Sequence, residues 1–578
     1  MEDKARRICG SKDVALKGFV FYIISDRQGL YLKMGIYLFF KIRGEYNPLP
    51  IMNRNVFILA VILMFGFPSC QKPVEKNKTL RVNISREPTC LDPRKVFDPS
   101  HQMLMSMLFE GLFKLELDLS VSPAQAKSFE ISEDGHTYTF HLGEHVWSDQ
   151  SAVTADDFVQ TYLDILNPAF PAPHSNLLYD VLNAEEAKKG LVPLSEVGIR
   201  ALDARTIQIQ LKHTNPCFLQ ILASPYLVPV CRKQEESNPN WAITSGSAFV
   251  CNGPFTLSFW APQTEIVLKR NRKYSGKYPA KINEIQITLI ANEMSALNMY
   301  GSGCLDILGT PFSQIPLPFL KDLKAKKSIA INPVSATLFV GFNTQAAPFN
   351  NVHFRRAFAL ASNRREIIDH ITLLDEEPAL SLIPPILKKR PSPHWTQDDD
   401  VEGGQKELRL AMKDLSEKDL KDLTLYFFPL EINYLIAQTL QQQWQKNLGI
   451  EVKIQVIDFK TLLAKIADGS YKMAIFIWSA DYADPISLLH RFRNSKDVAN
   501  YARWENKDFS ALLDASALET NSEKRFAILE EAERLLVEEM PIAPIFHWNF
   551  SLLIQPQVKG VAMDPLGNIR FDQISIHR

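Results

Sequence analysis

One stretch limits the fold more than any other. "LTLYFFP" (423–429) is a short apolar run, "EINYLIAQTLQQQWQKNLG" (431–449) has helical periodicity, and "IEVKIQVID" (450–458) alternates. Gly449 supplies the helix stop. A strand, a helix and a strand at this spacing suit a parallel crossover, which needs a sheet with helices on its faces. The second half of the chain is therefore read as α/β. "VHFRRAFALASNRREIIDHI" (352–371) reads as one more helix, and the Pro-rich, charged stretch 376–405 reads as a surface excursion.

The first half has a different texture. "TLRVNI" (79–84) places Leu80, Val82 and Ile84 on one face of a strand. "GHTYTFHL", "RTIQIQLKH", "GPFTLSFW", "EIVLKRN" and "INEIQITLI" are further strands between residues 135 and 290. Two helices interrupt them: "MLMSMLFEGLFKL", ending near Gly111, and "SAVTADDFVQTYLDIL", whose start is marked by Thr154 and Asp156. The late strand-like piece "SLLIQPQVKGVAM" (551–563) is too distant to be a hairpin partner of the first half, but can return to it in space.

At 578 residues and 46% hydrophobic content, the chain can build two or three domains with a large core. A formal net charge of −1 argues against a dedicated nucleic-acid binder. Met52 opens "MNRNVFILAVILMFGFPSC": Arg54, an apolar run from Val56 to Phe67, and small Ser69 before Cys70. That is the layout of a secretory signal peptide, and the run is short for a membrane span. A cysteine at the cut resembles the bacterial lipoprotein signal, with Cys70 the acylated residue. Residues 1–51 then read as an over-extended, non-native start, 52–69 as the signal peptide and 70–78 as a tether. Without residues 1–69, 54 basic and 60 acidic side chains remain. Beyond Cys70, five cysteines (90, 217, 231, 251, 304) remain, too scattered for a zinc site or a disulfide framework.

Enzyme signatures are missing: no HExxH, GxSxG, GxxxxGK[ST] or GxGxxG. The chain is read as a non-enzyme without metal or cofactor. What stands out is "IFIWSADYADP" (475–485), an apolar strand ending in two carboxylates. Asp484 precedes Pro485 and "ISLLHRF", so it fits a helix N-cap. Asp481 has no such structural role and is the candidate functional group. As paired acids the two would suit a secreted hydrolase, the alternative from a different class. An adhesion or chaperone-like protein is a third.

Seven segments in order, "REPTCLDPRKVFD", "LFEGLFKL", "ISEDGHTYTFHLGEHVWSDQSAVTADDFV", "NGPFTLSFW", "FNTQAAPFNNVHFRRAFALASNR", "WSADYADP" and "EEMPIAPIFHW…VKGVAMDPLG", resemble the periplasmic oligopeptide-binding proteins of peptide ABC importers, family 5 of extracellular solute-binding proteins. The resemblance covers 79–578. It implies a periplasmic-binding-protein-like fold: two α/β lobes with a hinge plus an inserted β-rich domain. By that analogy lobe I is 79–99, 224–331 and 549–578, the inserted domain 100–223, and lobe II 332–548. It implies that Asp481 salt-bridges the α-amine of a peptide, that Glu87, Thr89 and Cys90 face the ligand from lobe I, and that Trp478, Ser479 and Ala480 pair with its backbone, with Tyr482 beside them. It further implies a monomeric lipoprotein in the periplasm of a Gram-negative bacterium, anchored by lipid, with importer permease subunits as partners. A specialised ligand such as murein peptide is the alternative within the family. Some members carry an Arg in the strand before this motif where this chain has Ile475, so the holder of the ligand carboxylate is open. Gln150 stands where glycine is usual, and Asn351 and Asn363 replace common aspartates; all three are read as structural.

Overall fold

The computed structural model describes residues 78–577 apart from 97, 392, 394 and 498. Of residues 1–77 it describes only two antiparallel strand pairs, Tyr22–Asp26 with Gly29–Lys33 and Lys41–Ile42 with Glu45–Tyr46. They belong to a separate unit, Met1–Val74, and the main body is Glu75–Arg578. The signal peptide, Cys70 and most of the tether lie outside the described residues.

The main body is α/β. Its largest sheet has the spatial order Ile307–Gly309, Ile542–Ile554, Ile329–Phe342, Met473–Ser479, Thr424–Phe427, Lys453–Val456, with Glu377–Pro378 added beside Ile542–Ile554. Thr424–Phe427 and Lys453–Val456 are parallel and joined by the helix Glu431–Leu448. Gly449 ends that helix in the left-handed conformation, φ +70°. The helix buries Ile436, Leu440 and Trp444, and the Trp444 indole donates to the Phe358 carbonyl.

Two four-stranded sheets dominate the first half. In one, Thr79–Ile84 lies parallel to Glu284–Leu289, which continues into Glu265–Arg270 and Phe255–Ala261. In the other, Ile199–Asp203, Thr206–Gln210, Thr137–Leu142 and Ala126–Ile131 form an antiparallel sheet. The helix Ala155–Leu166 starts with a capping box between Thr154 and Asp157. One core, containing Leu80, Val82, Phe140, Phe158 and Phe255, runs through both sheets.

The longest strands hold the halves together. Ile329–Phe342 and Ile542–Ile554 pair antiparallel from Ile329↔Leu553 to Gly341↔Ile542. The register breaks between Pro333 and Thr337 and again between Leu338 and Phe339. One end of the pair meets Ile307–Gly309, the other meets Met473–Ser479. The late piece beginning at Ser551 does return to the earlier part of the chain.

Three local expectations are corrected. The helix expected to end near Gly111 is Pro99–Leu108, and Phe113–Leu115 is a strand paired with Val121–Pro123. The single helix expected over 352–371 is broken: Val352–Leu360 stops, Asn363 caps a new turn at Arg364–Ile367, and a wider turn follows to Thr372. The buried Arg364 guanidinium causes the break by collecting the carbonyls of Ala359, Ser362, Ala379 and Pro544. The stretch 376–405 is not simply a surface excursion. Ala379, Leu382 and Ile383 are fully buried, and Thr337 and Glu533 hold the backbone at Leu382 and Ile383.

Candidate functional site

The strand Met473–Ser479 is apolar because both its faces are covered. Ile475 is buried in one core cluster, while Phe476 and Trp478 are buried in another. Trp478 sits between Phe339, Phe492 and Tyr501. The whole strand pairs with Ile329–Phe342, from Phe342↔Met473 to Ala336↔Ser479. On its other side it pairs with Thr424–Phe427 only at Met473 and Ala474. From Ile475 to Ser479 the register partners lie on one side, which leaves a stretch of strand edge of the kind that accepts an added strand.

That edge ends at Asp481. The Ala480 N–H donates to the Ser335 carbonyl (2.8 Å), and the Asp481 N–H donates to the Ser487 hydroxyl (2.8 Å). The expectation that Asp481 has no structural partner is corrected. Arg491 donates from Nη2 to Asp481 Oδ2 at 3.0 Å and to the Ser479 carbonyl at 3.1 Å. Its guanidinium lies 5.0 Å from the Trp478 ring centroid. On the other oxygen, His174 Nδ1 lies 3.8 Å from Asp481 Oδ1. His174 comes from the first half of the chain and stacks on Tyr226 at 3.6 Å. Burial lowers the His174 pKa, against the opposing pull of the Asp481 charge. The Tyr226 hydroxyl donates to Gln102, and Gln102 donates to Asn568. A chain of contacts thus runs from Asp481 through His174, stacked on Tyr226, to Gln102 and the C-terminal loop.

Asp484 is a different case. Its carboxylate takes two hydrogen bonds from Arg525, at 2.7 and 2.9 Å, with both residues buried. Burial works against the Arg525 charge, but the Asp484 bonds outweigh it and keep the guanidinium pKa above its ordinary value. Asp484 Oδ1 also accepts from the Ile486 N–H, but the N-cap of the short helix Ile486–Leu489 is Pro485, without a side-chain cap bond. The expected N-cap role of Asp484 is therefore corrected: its carboxylate is committed to Arg525 and the turn before the helix. Tied to Arg525 in this way, it is not the second member of an acid pair with Asp481, which removes the geometric basis of the hydrolase alternative.

The remaining candidates divide. Trp478, Ser479, Ala480, Asp481 and Tyr482 are consecutive, but only Ser479 is exposed, and Tyr482 is buried in the core of the first half. Glu87 accepts hydrogen bonds from the Trp260 indole and the Gln263 backbone, so its carboxylate holds a hairpin turn. Thr89 is exposed and Cys90 half-buried. No hydrogen bond or ion pair among the described residues joins Glu87, Thr89 or Cys90 to Asp481. Among the described residues no cluster of His, Cys, Asp and Glu could hold a metal, and no helix is long and apolar enough to cross a membrane.

The sequence profile of the bacterial extracellular solute-binding proteins, family 5 Middle, matches residues 120–500. The chain belongs to this family. It is similar to the oligopeptide-binding protein OppA of Bacillus subtilis (strain 168), 30% identical over 507 residues, covering 87% of this chain and 93% of the relative. It also matches the crystal structure of Haemophilus influenzae OppA in complex with RPPGFSPFR at 25% identity and a TM-score of 0.75, covering 87% of this chain and 100% of the other. The murein tripeptide binding protein MppA of Escherichia coli matches at 25% identity with a TM-score of 0.75, covering 87% and 99%.

For this family 5 protein the departures noted in the sequence now have local explanations. Gln150 has φ +75°, the left-handed conformation that favours glycine. Asn351 and Asn363 cap helices, accepting from the His353 and Phe354 N–H groups and from the Glu366 N–H. Ile475 is 1% exposed, so a polar side chain there would have to be accommodated in the core. The residue missed from the sequence is Arg491, which lies ten positions after its partner with no regular spacing to reveal it.

Proposed function

We propose that this family 5 protein captures oligopeptides outside the cytoplasm and delivers them to an ABC-type importer. The observation that carries the reading is a carboxylate at the end of a half-paired strand edge, where the two halves of the chain meet. Every peptide has one ammonium terminus and an extended backbone, and such an edge suits both. Asp481 takes the ammonium by a charge-assisted hydrogen bond. Trp478, Ser479 and Ala480 pair with the backbone. Thr89 and Cys90 approach from lobe I, with Glu87 and Tyr482 acting through the turn and the core they stabilise. The relatives bearing oligopeptide names, and the bound peptide in the Haemophilus structure, support this reading.

In the same reading lobe I is 79–99, 224–331 and 549–578, the inserted domain 100–223, and lobe II 332–548. The protein works as a monomer in the periplasm of a Gram-negative bacterium, held by a lipid on Cys70 and docking on permease subunits. The register breaks in Ile329–Phe342 mark where the lobes hinge around ligand. Mass spectrometry of ligand that co-purifies with the folded protein is the test. A ladder of mixed peptides is expected. A single defined compound would move the assignment to a specialised ligand such as murein peptide, which the MppA likeness favours.

A further inference from the structure

We infer that Arg491 is a specificity-determining residue: its guanidinium occupies the place that a ligand's ammonium needs, and so sets how strongly the protein prefers a free amino terminus. The inference rests on the oligopeptide reading of the Asp481 site. Two acceptors at the end of the strand edge suit a peptide's N-terminus, the Asp481 carboxylate and the Ser479 carbonyl. One nitrogen of Arg491 bonds both, at 3.0 and 3.1 Å. The side chains of the pair are 14% and 13% exposed, so the contact is largely shielded from water.

Its geometry is that of a displaceable cation. Arg525 uses both terminal nitrogens on both oxygens of Asp484. Arg491 engages one oxygen of Asp481 with one nitrogen, and the ion-pair partner of Oδ1 among the described residues is His174 at 3.8 Å. Stacking on Trp478 gives the guanidinium a surface to remain on when an ammonium takes its place. An incoming ammonium therefore meets a neutral ion pair instead of a bare carboxylate. The Coulombic advantage of a charged terminus over an acetylated one is reduced by the cation already present.

Calorimetry on the wild type, Arg491→Gln and Arg491→Lys tests this, with RPPGFSPFR and tetraalanine as probes, each free and N-acetylated. In Arg491→Gln the ratio of acetylated to free Kd is expected to rise about tenfold, with the free peptide bound more tightly. Arg491→Lys keeps the charge and should keep the wild-type ratio. Arg491→Met keeps an unbranched apolar stem beside Trp478 and removes the guanidinium with its charge and donors, so it gives the same comparison if the glutamine variant does not fold. An unchanged ratio in the uncharged variants, or weaker binding of the free peptides alone, overturns the inference while leaving the oligopeptide reading intact. Binding of neither probe, in either form, by the wild type overturns the reading and the inference with it.

Discussion

Two carboxylates three residues apart sit in opposite surroundings. Asp484 is sealed in a core with Arg525, both of its oxygens used. Asp481 lies at the meeting of the two halves, with one oxygen on Arg491 and the other facing a neutral-leaning histidine. The contrast shows that a charge at a strand end is not by itself a site. What separates the two is whether the partner is fixed. A buried pair bonded through both carboxylate oxygens is part of the scaffold, whereas the singly engaged pair at the interface is the one proposed to exchange its partner for a ligand.

The largest expected effect breaks the sealed side. Asp484→Asn removes one charge and leaves Arg525 buried and unpaired. Loss of one partner of a buried pair costs about 3–5 kcal/mol. Chemical denaturation should show a loss of that size, while peptide discrimination by the surviving folded fraction stays as in wild type. A stability change under about 1 kcal/mol would mean that Arg525 finds other acceptors and that the pair is not the fixed element described here.

Acid probes the sealed interior in a second way. His547 lies on the crossing strand Ile542–Ile554, where its Nδ1 is 2.9 Å from the Thr337 hydroxyl. Burial, with Lys388 adding to it, depresses its pKa to about 3. The unfolded chain binds a proton near pH 6.5 that the folded chain refuses, so stability from this group is intact above pH 6.5 and falls as pH drops toward 3. Between pH 6.5 and 4.5 the loss is roughly 2–3 kcal/mol. His547→Gln should flatten the acid limb of a denaturation series by about that amount. A parallel limb in the variant would show that His547 takes up its proton without unfolding.

Much of the scaffold was legible in the sequence, and the reasons are local. The crossover 423–458 was readable because periodicity and Gly449 act within a few residues of one another. The caps at Thr154, Asn351 and Asn363 are equally short-range. The break after Leu360 was not readable, because Arg364 reaches the carbonyls of Ala379 and Pro544. The same holds at the site. Asp481 was found from its place at the end of an apolar run, but its guanidinium partner follows a turn, and the partner of Asp484 is 41 positions away. Pairings of that kind have no signature in spacing or composition.

On the open side, Asp481→Asn should act on ligand choice more than on stability. Arg491 also bonds the Ser479 carbonyl and lies over Trp478, so it keeps partners when the carboxylate is lost. A hydrogen bond to a charged group contributes about 1.5–3 kcal/mol. Free peptides should therefore bind roughly ten- to 150-fold more weakly, with N-acetylated ones little changed. The ratio between the two forms should fall to about one in titration calorimetry. Retained discrimination would place the amine elsewhere.

The smallest effect comes from the element that joins the two carboxylates. Ser487 is fully buried, and its hydroxyl accepts from the Asp481 N–H at 2.8 Å and the Tyr482 N–H at 3.4 Å. It therefore fixes the backbone between the exchangeable acid and the sealed one. Ser487→Ala leaves these donors without that acceptor, at a cost of about 1–2 kcal/mol, the lower part of the penalty for an unsatisfied buried group. The charges are untouched, so the free-to-acetylated ratio should stay near wild type while both affinities weaken by a similar small factor. A change in that ratio would show that the position of the Asp481 carboxylate depends on the Ser487 bond. The open side would then be tuned by the same loop that anchors the sealed one, and the two carboxylates would form a coupled unit.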